Sequence, residues 1–567
     1  MEAYEIEYQK WLDSPVVSEA VKDEIRSLDE DGKKERFSAY MTFGTAGLRS
    51  KMGAGCAFMN GYTVAHATAG LAKLIIAEGA QDRGVVIAFD SRLDSDSFSR
   101  RAAEVLSAYG IKVYIFPTLR PTPVLSYAIM KLGCIAGINV TASHNPSVYN
   151  GYKAYWEDGA QLPPDHAKSV SDAMDEIDIF DVPAPDKAKP ELICEVSDEV
   201  DKPYLECVLS ERVNPDAIPS VADELKIVYT PLHGAGAVMV PEILRRSGVK
   251  HLYTVDEQMA PDGNFPTVYY PNPECPEAFE LGIKLAQKVG SELVVATDPD
   301  CDRVGVMAKA KDGTFKAITG NQMGALLIDY IIRAYKKTGT LPGDAYAVKS
   351  VVSANLAQKI AETNGVRFYN VLTGFKFIGE VIKKHLAEGH GTFILGFEES
   401  YGYLKGTYAR DKDAVVASML ICEMAAFYKA QGMTLIDALE ALFETYGYYG
   451  EKVKNVQITG LDAQGQMAQI MKKLRENAPE KLGGQKIAEV RDYLSGKVTF
   501  GNGTTGETGL PKTNMLYYVT ESGDTFIIRP SGTEPKIKVY ILACAENRAE
   551  LDAHIAALEA DAEKMFA

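Results

Sequence analysis

At 567 residues the chain exceeds the roughly 250–300 that one hydrophobic core supports, so three or four domains are expected. Hydrophobic residues at 46% and charged residues at 24% are the composition of a folded globular protein and exclude a large disordered fraction. A formal net charge of −17 repels phosphate backbones and anionic lipid, which argues against nucleic acid and membranes as partners and requires a locally basic cleft for any anionic substrate.

The opening Met1-Glu-Ala-Tyr-Glu-Ile-Glu has neither the basic nor the apolar region of a signal peptide. No run approaches the ~20 apolar residues of a membrane span, so a cytoplasmic protein is expected. The eight cysteines are scattered without Cys-x-x-Cys or zinc-like spacing and read as reduced thiols.

In chain order, a charged helical arm precedes an alternation of helices with β-branched runs at 85–89, 112–116 and 135–140, the rhythm of βαβ units on a parallel sheet. Gly110 and Gly133 fall where the intervening helices should stop. After a Pro- and Asp-rich break at 182–190, runs at 226–229, 251–255 and 292–296 predict a second α/β domain. Runs at 346–352, 367–371 and 392–395 predict a third. The Gly- and Tyr-rich 446–450 reads as a hinge, beyond which runs at 515–519, 525–528 and 537–542 precede one amphipathic helix. The expected fold is three α/β domains with parallel or mixed sheets plus a C-terminal α+β domain around a central cleft, divided at 1–205, 206–318, 319–445 and 446–567.

Four loops beyond strand ends carry candidate chemistry. Thr141-Ala-Ser-His-Asn-Pro146 exposes Ser143 beside His144, although the same residues also compose ordinary turns. No Gly-x-Ser-x-Gly elbow supports a hydrolase. Asp298-Pro-Asp-Cys-Asp-Arg303 sets carboxylates at alternate positions, suited to a hard cation such as magnesium. An EF-hand would need Gly and Glu where Arg303 and Lys309 stand. Gly396-Phe-Glu-Glu-Ser-Tyr-Gly402 offers partners for sugar hydroxyls or a helix cap. Arg529-Pro-Ser-Gly-Thr-Glu-Pro-Lys-Ile-Lys538 reads as a dianion cradle or a polar β-turn. Gly234-Ala-Gly236 is no dinucleotide fingerprint, because Met239 occupies its third glycine position. No Walker motif occurs at these strand ends.

Together these loops, with Phe43-Gly-Thr-Ala-Gly-Leu-Arg49, Tyr149-Asn-Gly-Tyr-Lys153, Thr373-Gly-Phe-Lys376 and Arg410-Asp-Lys-Asp413, closely resemble the α-D-phosphohexomutase superfamily over nearly the whole chain. The resemblance implies a phosphoserine at Ser143 and Mg2+ among its phosphate oxygens, Asp298, Asp300 and Asp302. It implies Arg49, His144, Lys153 and Arg303 around the reacting phosphoryl group and Lys412 as general base, with a cationic neighbourhood depressing its pKa. Glu398 and Ser400, together with Thr373, Gly374 and Lys376, would hold the sugar. Arg529, Ser531, Gly532, Thr533 and Lys538 would hold the phosphate that is not transferred. The implied activity interconverts glucose 1-phosphate and glucose 6-phosphate, with glucose 1,6-bisphosphate as intermediate and activator, in a monomer or small homo-oligomer. Phe397 stands where many phosphoglucomutases have Gly, which leaves phosphomannomutase or phosphopentomutase activity as alternatives. A metal-dependent phosphatase would not need the sugar and distal phosphate loops. A silent sugar-phosphate binding protein would be expected to lack Ser143 or an aspartate, and neither is missing.

Overall fold

The computed structural model describes residues 2–44, 47–458, 463–531 and 536–566. Among these are four sheets, the first three carrying parallel strands and the fourth antiparallel throughout. In the first, Val85–Phe89 and Ala136–Val140 run parallel at the centre and are buried along their whole length, as strands covered on both faces must be. Side chains alternate between the faces. Val85 and Ile87 join Leu71, Ile75 and Leu106 on one side, whereas Val86 and Ala88 meet Leu125 and Ala128 on the other.

That second face opens into a core shared by three domains. It continues through Ile227 and Val295 of the second sheet to Ile328 of the helix Gly320–Thr338 and Leu395 and Phe397 of the third sheet. The helix Ala414–Lys429 runs through this core and is buried on nearly all sides, which explains its uninterrupted apolar sequence. Asp413 caps it, accepting from the N–H groups of Val415 (2.8 Å) and Val416 (3.0 Å) and from the hydroxyls of Tyr204 and Tyr408.

The fourth sheet uses both faces. Phe526, Ile528, Val539 and Ile541 pack with Leu558 and Ala562 of the helix Arg548–Phe566. The alternate residues Ile527, Tyr540 and Leu542 meet Val351 and Val352 of the third domain. In the N-terminal arm, Trp11 is wholly buried against Phe37, Tyr62 and Phe180.

The expected hinge at 446–450 is different in the structure: Gly447 turns the chain at φ 96°, and Tyr448–Gln457 is the edge strand of the fourth sheet. Its polar, half-exposed sequence hides it, since Lys452 and Lys454 pair with Glu559 and Glu563 at 2.7 and 2.8 Å instead of burying apolar surface. Gln485–Asp492 escaped the apolar-run reading for the same reason.

The Gly234-Ala-Gly236 turn is a packing device: a Cβ on Gly234 would lie 2.4 Å from Pro299 Cα, and the Ala235 N–H donates to the Pro299 carbonyl at 2.7 Å. Gly234→Ala is therefore expected to cost about 1–3 kcal/mol by overpacking, read as a lower urea midpoint with an unchanged m-value. An unchanged midpoint would contradict this close approach.

Candidate active site

The serine loop leaves the strand Ala136–Val140, the aspartate loop leaves Leu293–Thr297, and the glutamate loop ends Thr392–Glu398. Backbone contacts tie the aspartate loop to the start of the helix Thr122–Leu132 in the first domain and to the glutamate loop. The Thr122 N–H donates to the Asp300 carbonyl at 2.8 Å, Arg303 forms a β-bridge with Gly402, and the Val304 N–H donates to the Tyr401 carbonyl at 3.1 Å.

Ser143 adopts φ 52°, a left-handed conformation that costs energy for a residue with a Cβ and recurs at functional positions. The surrounding bonds account for its persistence. Its N–H donates to Thr141 Oγ1 at 2.8 Å, and that hydroxyl donates to Asp90 Oδ2 at 2.6 Å. The Arg92 guanidinium, fully buried and stacked 5.1 Å from the Phe265 ring, donates to the carbonyls of Ser143, Asn145, Pro146 and Tyr149. The Ser143 hydroxyl donates to Asp298 Oδ2 at 2.7 Å and lies 3.2 Å from His144 Nδ1. Burial, reinforced by Arg303 and Arg49, holds the His144 pKa well below its ordinary value, so the imidazole is neutral.

Asp298, Asp300 and Asp302 are buried, and one ligand atom from each lies within 4.8 Å of the others. Burial, then the charges of Asp300 and Asp302, push Asp298 well above the usual carboxylate range. Burial acts the same way on Asp300, but Lys153 at 2.7 Å and the Thr122 hydroxyl at 2.8 Å outweigh it and hold that group low. Asp300 Oδ1 and Asp302 Oδ1 are buried without a hydrogen-bond partner. Crowded oxygen donors with unused lone pairs fit a hard divalent cation.

Lys153 also approaches Asp302 at 3.6 Å, and Lys412 lies 3.1 Å from Asp302 and 2.8 Å from Asp411. Arg303 pairs with Glu274 at 2.8 Å, and the exposed Arg49 donates to Asn145 Oδ1 at 3.1 Å. The neighbourhood of Lys412 is anionic, not cationic as the sequence led to expect: burial lowers its pKa, but Asp302 and Asp411 outweigh burial and raise it.

Glu398 accepts from the Gly374 N–H at 2.7 Å, joining two predicted sugar segments, and burial beside Glu399 pushes its pKa up to about 7. Thr373 Oγ1 is buried without a partner, Lys376 lies in the first turn of the helix Phe375–Glu388, and Ser400 is partly exposed in the turn after Glu398. Phe397 points the other way, into the core against Gly324, where a Cβ would lie 2.5 Å from its ring. Arg529 and Lys538 face each other across the last hairpin, and the Ser531 N–H donates to the Lys536 carbonyl at 2.8 Å. Gly532 and Thr533 lie outside the described residues.

Models of the phosphoglucomutase/phosphomannomutase family match this chain in order: alpha/beta/alpha domain I at residues 40–179, domain II at 202–313, domain III at 319–446 and the C-terminal domain at 467–559. A phosphoglucomutase of Staphylococcus epidermidis is 36% identical over 542 residues, covering 94% of this chain and 96% of its own length. The chain belongs to the phosphoglucomutase/phosphomannomutase family. A phosphoglucomutase of Staphylococcus aureus is 37% identical over 523 residues, covering 91% and 92%. Two solved structures share the fold: Paramecium parafusin in its open form (TM-score 0.68, 16% identity, 93% of this chain and 95% of that one) and a family protein of Burkholderia thailandensis (TM-score 0.63, 18% identity, 93% and 96%).

In this family member, sequence reading missed three supports: Arg92, Thr122 and Asp411. Asp90-Ser-Arg92 directly after a buried strand was the available signal for the first; Thr122 declares itself only through its contact with Asp300 in another domain, and Asp411 lies in the segment Arg410-Asp-Lys-Asp413 but shows its role only through Lys412 and Tyr155. Arg92→Lys keeps the charge but cannot reach all four carbonyls, so kcat is expected to fall about 10²-fold through misplacement of Ser143. Wild-type turnover in the variant would remove Arg92 from this role.

Proposed function

We propose that the chain interconverts α-D-glucose 1-phosphate and glucose 6-phosphate, with Ser143 carrying the phosphoryl group and glucose 1,6-bisphosphate as intermediate and activator. The observation that carries this reading is the 2.7 Å approach of the Ser143 hydroxyl to Asp298, with Lys153 and Lys412 converging on the neighbouring Asp300 and Asp302. Phosphoryl transfer is chiefly positioning plus charge stabilisation, and this arrangement supplies both. Asp298, Asp300 and Asp302 would hold magnesium, which when bound brings positive charge to the phosphoryl oxygens and offsets Asp302, the neighbour that most strengthens the Lys412 ammonium.

In the first half-reaction the bond from Ser143 Oγ to phosphorus breaks, its electron pair staying on Oγ, which gains a proton from solvent, as the free hydroxyl of the sugar phosphate bonds to the same phosphorus, giving the bisphosphate. Lys412 takes the proton of that hydroxyl as the amine and returns it as the ammonium in the reverse sense. Lys153, Arg49 and Arg303 balance charge on the moving group, and neutral His144 orients the serine oxygen. The bisphosphate then turns over, and its other phosphoryl group passes back to Ser143. Glu398, Ser400, Thr373, Gly374 and Lys376 hold the sugar in both orientations. Arg529, Ser531, Gly532, Thr533 and Lys538 anchor whichever phosphate is idle. Eight free cysteines accord with action in a reducing cytoplasm.

Ser143→Ala is expected to abolish turnover and leave the far-UV circular dichroism unchanged; intact-mass measurement should find a phosphoryl adduct in the wild type alone. Chelation should stop the wild type and magnesium restore it. Wild-type-like turnover by the variant would exclude the phosphoserine route.

Glucose 1-phosphate, mannose 1-phosphate and ribose 1-phosphate, each assayed with its bisphosphate, should rank with glucose highest in kcat/KM. A buried site that leaves hydroxyl partners unpaired discriminates by about 10⁴, so ribose should trail by that order and mannose by less. Faster turnover of ribose 1-phosphate would move the assignment to a phosphopentomutase and leave the serine chemistry standing.

A further inference from the structure

The far end of the helix Phe375–Glu388 gathers a second group of metal-binding side chains. His385, Glu388 and His390 each place one ligand atom within 4.8 Å of the others. The helix is 14 residues long, and at 1.5 Å per residue it sets His385 and Glu388 about 14 and 18 Å along its axis from Lys376.

The imidazoles are held in place. His385 is buried, with its ring stacked on Tyr346 at a centroid distance of 4.2 Å and an interplanar angle of 26°. Its Nδ1 lies 3.1 Å from the His390 carbonyl, an acceptor only, so Nδ1 carries the proton and Nε2 keeps a lone pair. A backbone carbonyl fixing the tautomer in this way is how proteins prepare a histidine for a metal. His390 sits between Gly389 (φ 68°) and Gly391 (φ 84°), both left-handed, in a turn anchored where the Gly391 N–H and the Thr392 hydroxyl donate to Asp344 at 2.7 and 2.9 Å. A Cβ on Gly391 would lie 2.6 Å from His385 Nδ1, so glycine there lets the turn close over the buried ring.

We infer that His385, Glu388 and His390 form a second metal site, for a borderline divalent ion such as zinc. Two imidazoles and one carboxylate suit zinc or nickel, with water completing the coordination, whereas the all-oxygen aspartate trio suits magnesium. The site lies at a helix C-terminus, where the carbonyl ends of the peptide dipoles favour a cation. An ion there would tie the helix beginning near Lys376 to the strand Thr392–Glu398, bracing the unit that presents Glu398. Without an ion, His390 Nε2 and Glu388 Oε2 lie 3.1 Å apart, within reach of an ordinary side-chain contact, and the experiment separates the two readings.

Zinc is titrated into the full chain in saturating magnesium, in competition with a chromophoric chelator. One equivalent is expected to bind, with affinity at least about 10-fold weaker in His390→Ala and in Glu388→Gln. Zinc should raise the thermal midpoint of the wild type and not of His390→Ala, whose magnesium-supported mutase turnover should match the wild type. Equal zinc affinity in wild type and His390→Ala, or no saturable binding to the wild type, would overturn the assignment.

Discussion

Three buried carboxylates within 4.8 Å of one another are the constraint around which the rest of this molecule is arranged. Each costs several kcal/mol to bury charged, and like charges so close resist joint ionisation. The fold answers with cations from two other domains. Lys153 comes from the antiparallel strand Tyr149–Trp156 of the first sheet, and Lys412 from the turn that caps the helix Ala414–Lys429. Removing one member of such a buried pair typically costs about 3–5 kcal/mol, so the same contacts that prepare the site also lock three domains together.

Glycines permit this convergence at backbone distance. Gly402 leaves room for the Lys412 stem, which would meet a Cβ at 2.3 Å, and Gly320 lets the Glu399 carbonyl approach where a Cβ would lie 1.9 Å away. A continuous apolar core beneath the loops keeps the three α/β units in register. The fourth domain is attached differently, through the apolar face around Val351, Tyr517 and Tyr540, and its basic hairpin meets the others across polar space, where Glu399 opposes the burial that lowers the Lys538 pKa.

Arg92 illustrates how backbone strain in the candidate site is sustained. Burial pulls its pKa down to about 10 while Asp90 opposes, and the guanidinium spends its donors on backbone carbonyls of the serine loop. A left-handed Ser143 is thereby held by bonds that do not involve its own side chain, leaving the hydroxyl free to face Asp298.

Local pattern was sufficient for the fold class, the buried central strands and the loops at their ends, because apolar periodicity and strand-end chemistry are properties of neighbouring residues. Sequence motifs likewise named Ser143, the alternating aspartates and Glu398 as candidates, and folding brings Ser143 and the aspartates together. Sequence alone did not reveal the edge strand Tyr448–Gln457 or the interior strand Gln485–Asp492, whose pairing relies on backbone hydrogen bonds and charged side chains rather than on apolar runs. Nor could it decide the charge around Lys412, which depends on Asp302, 110 positions earlier in the chain. The direction of Phe397 was equally hidden: strand alternation turns its ring into the core and Glu398 toward Gly374. Identity and local order are written along the chain, but protonation, tautomer and strain arise from groups that only folding brings within a few ångströms.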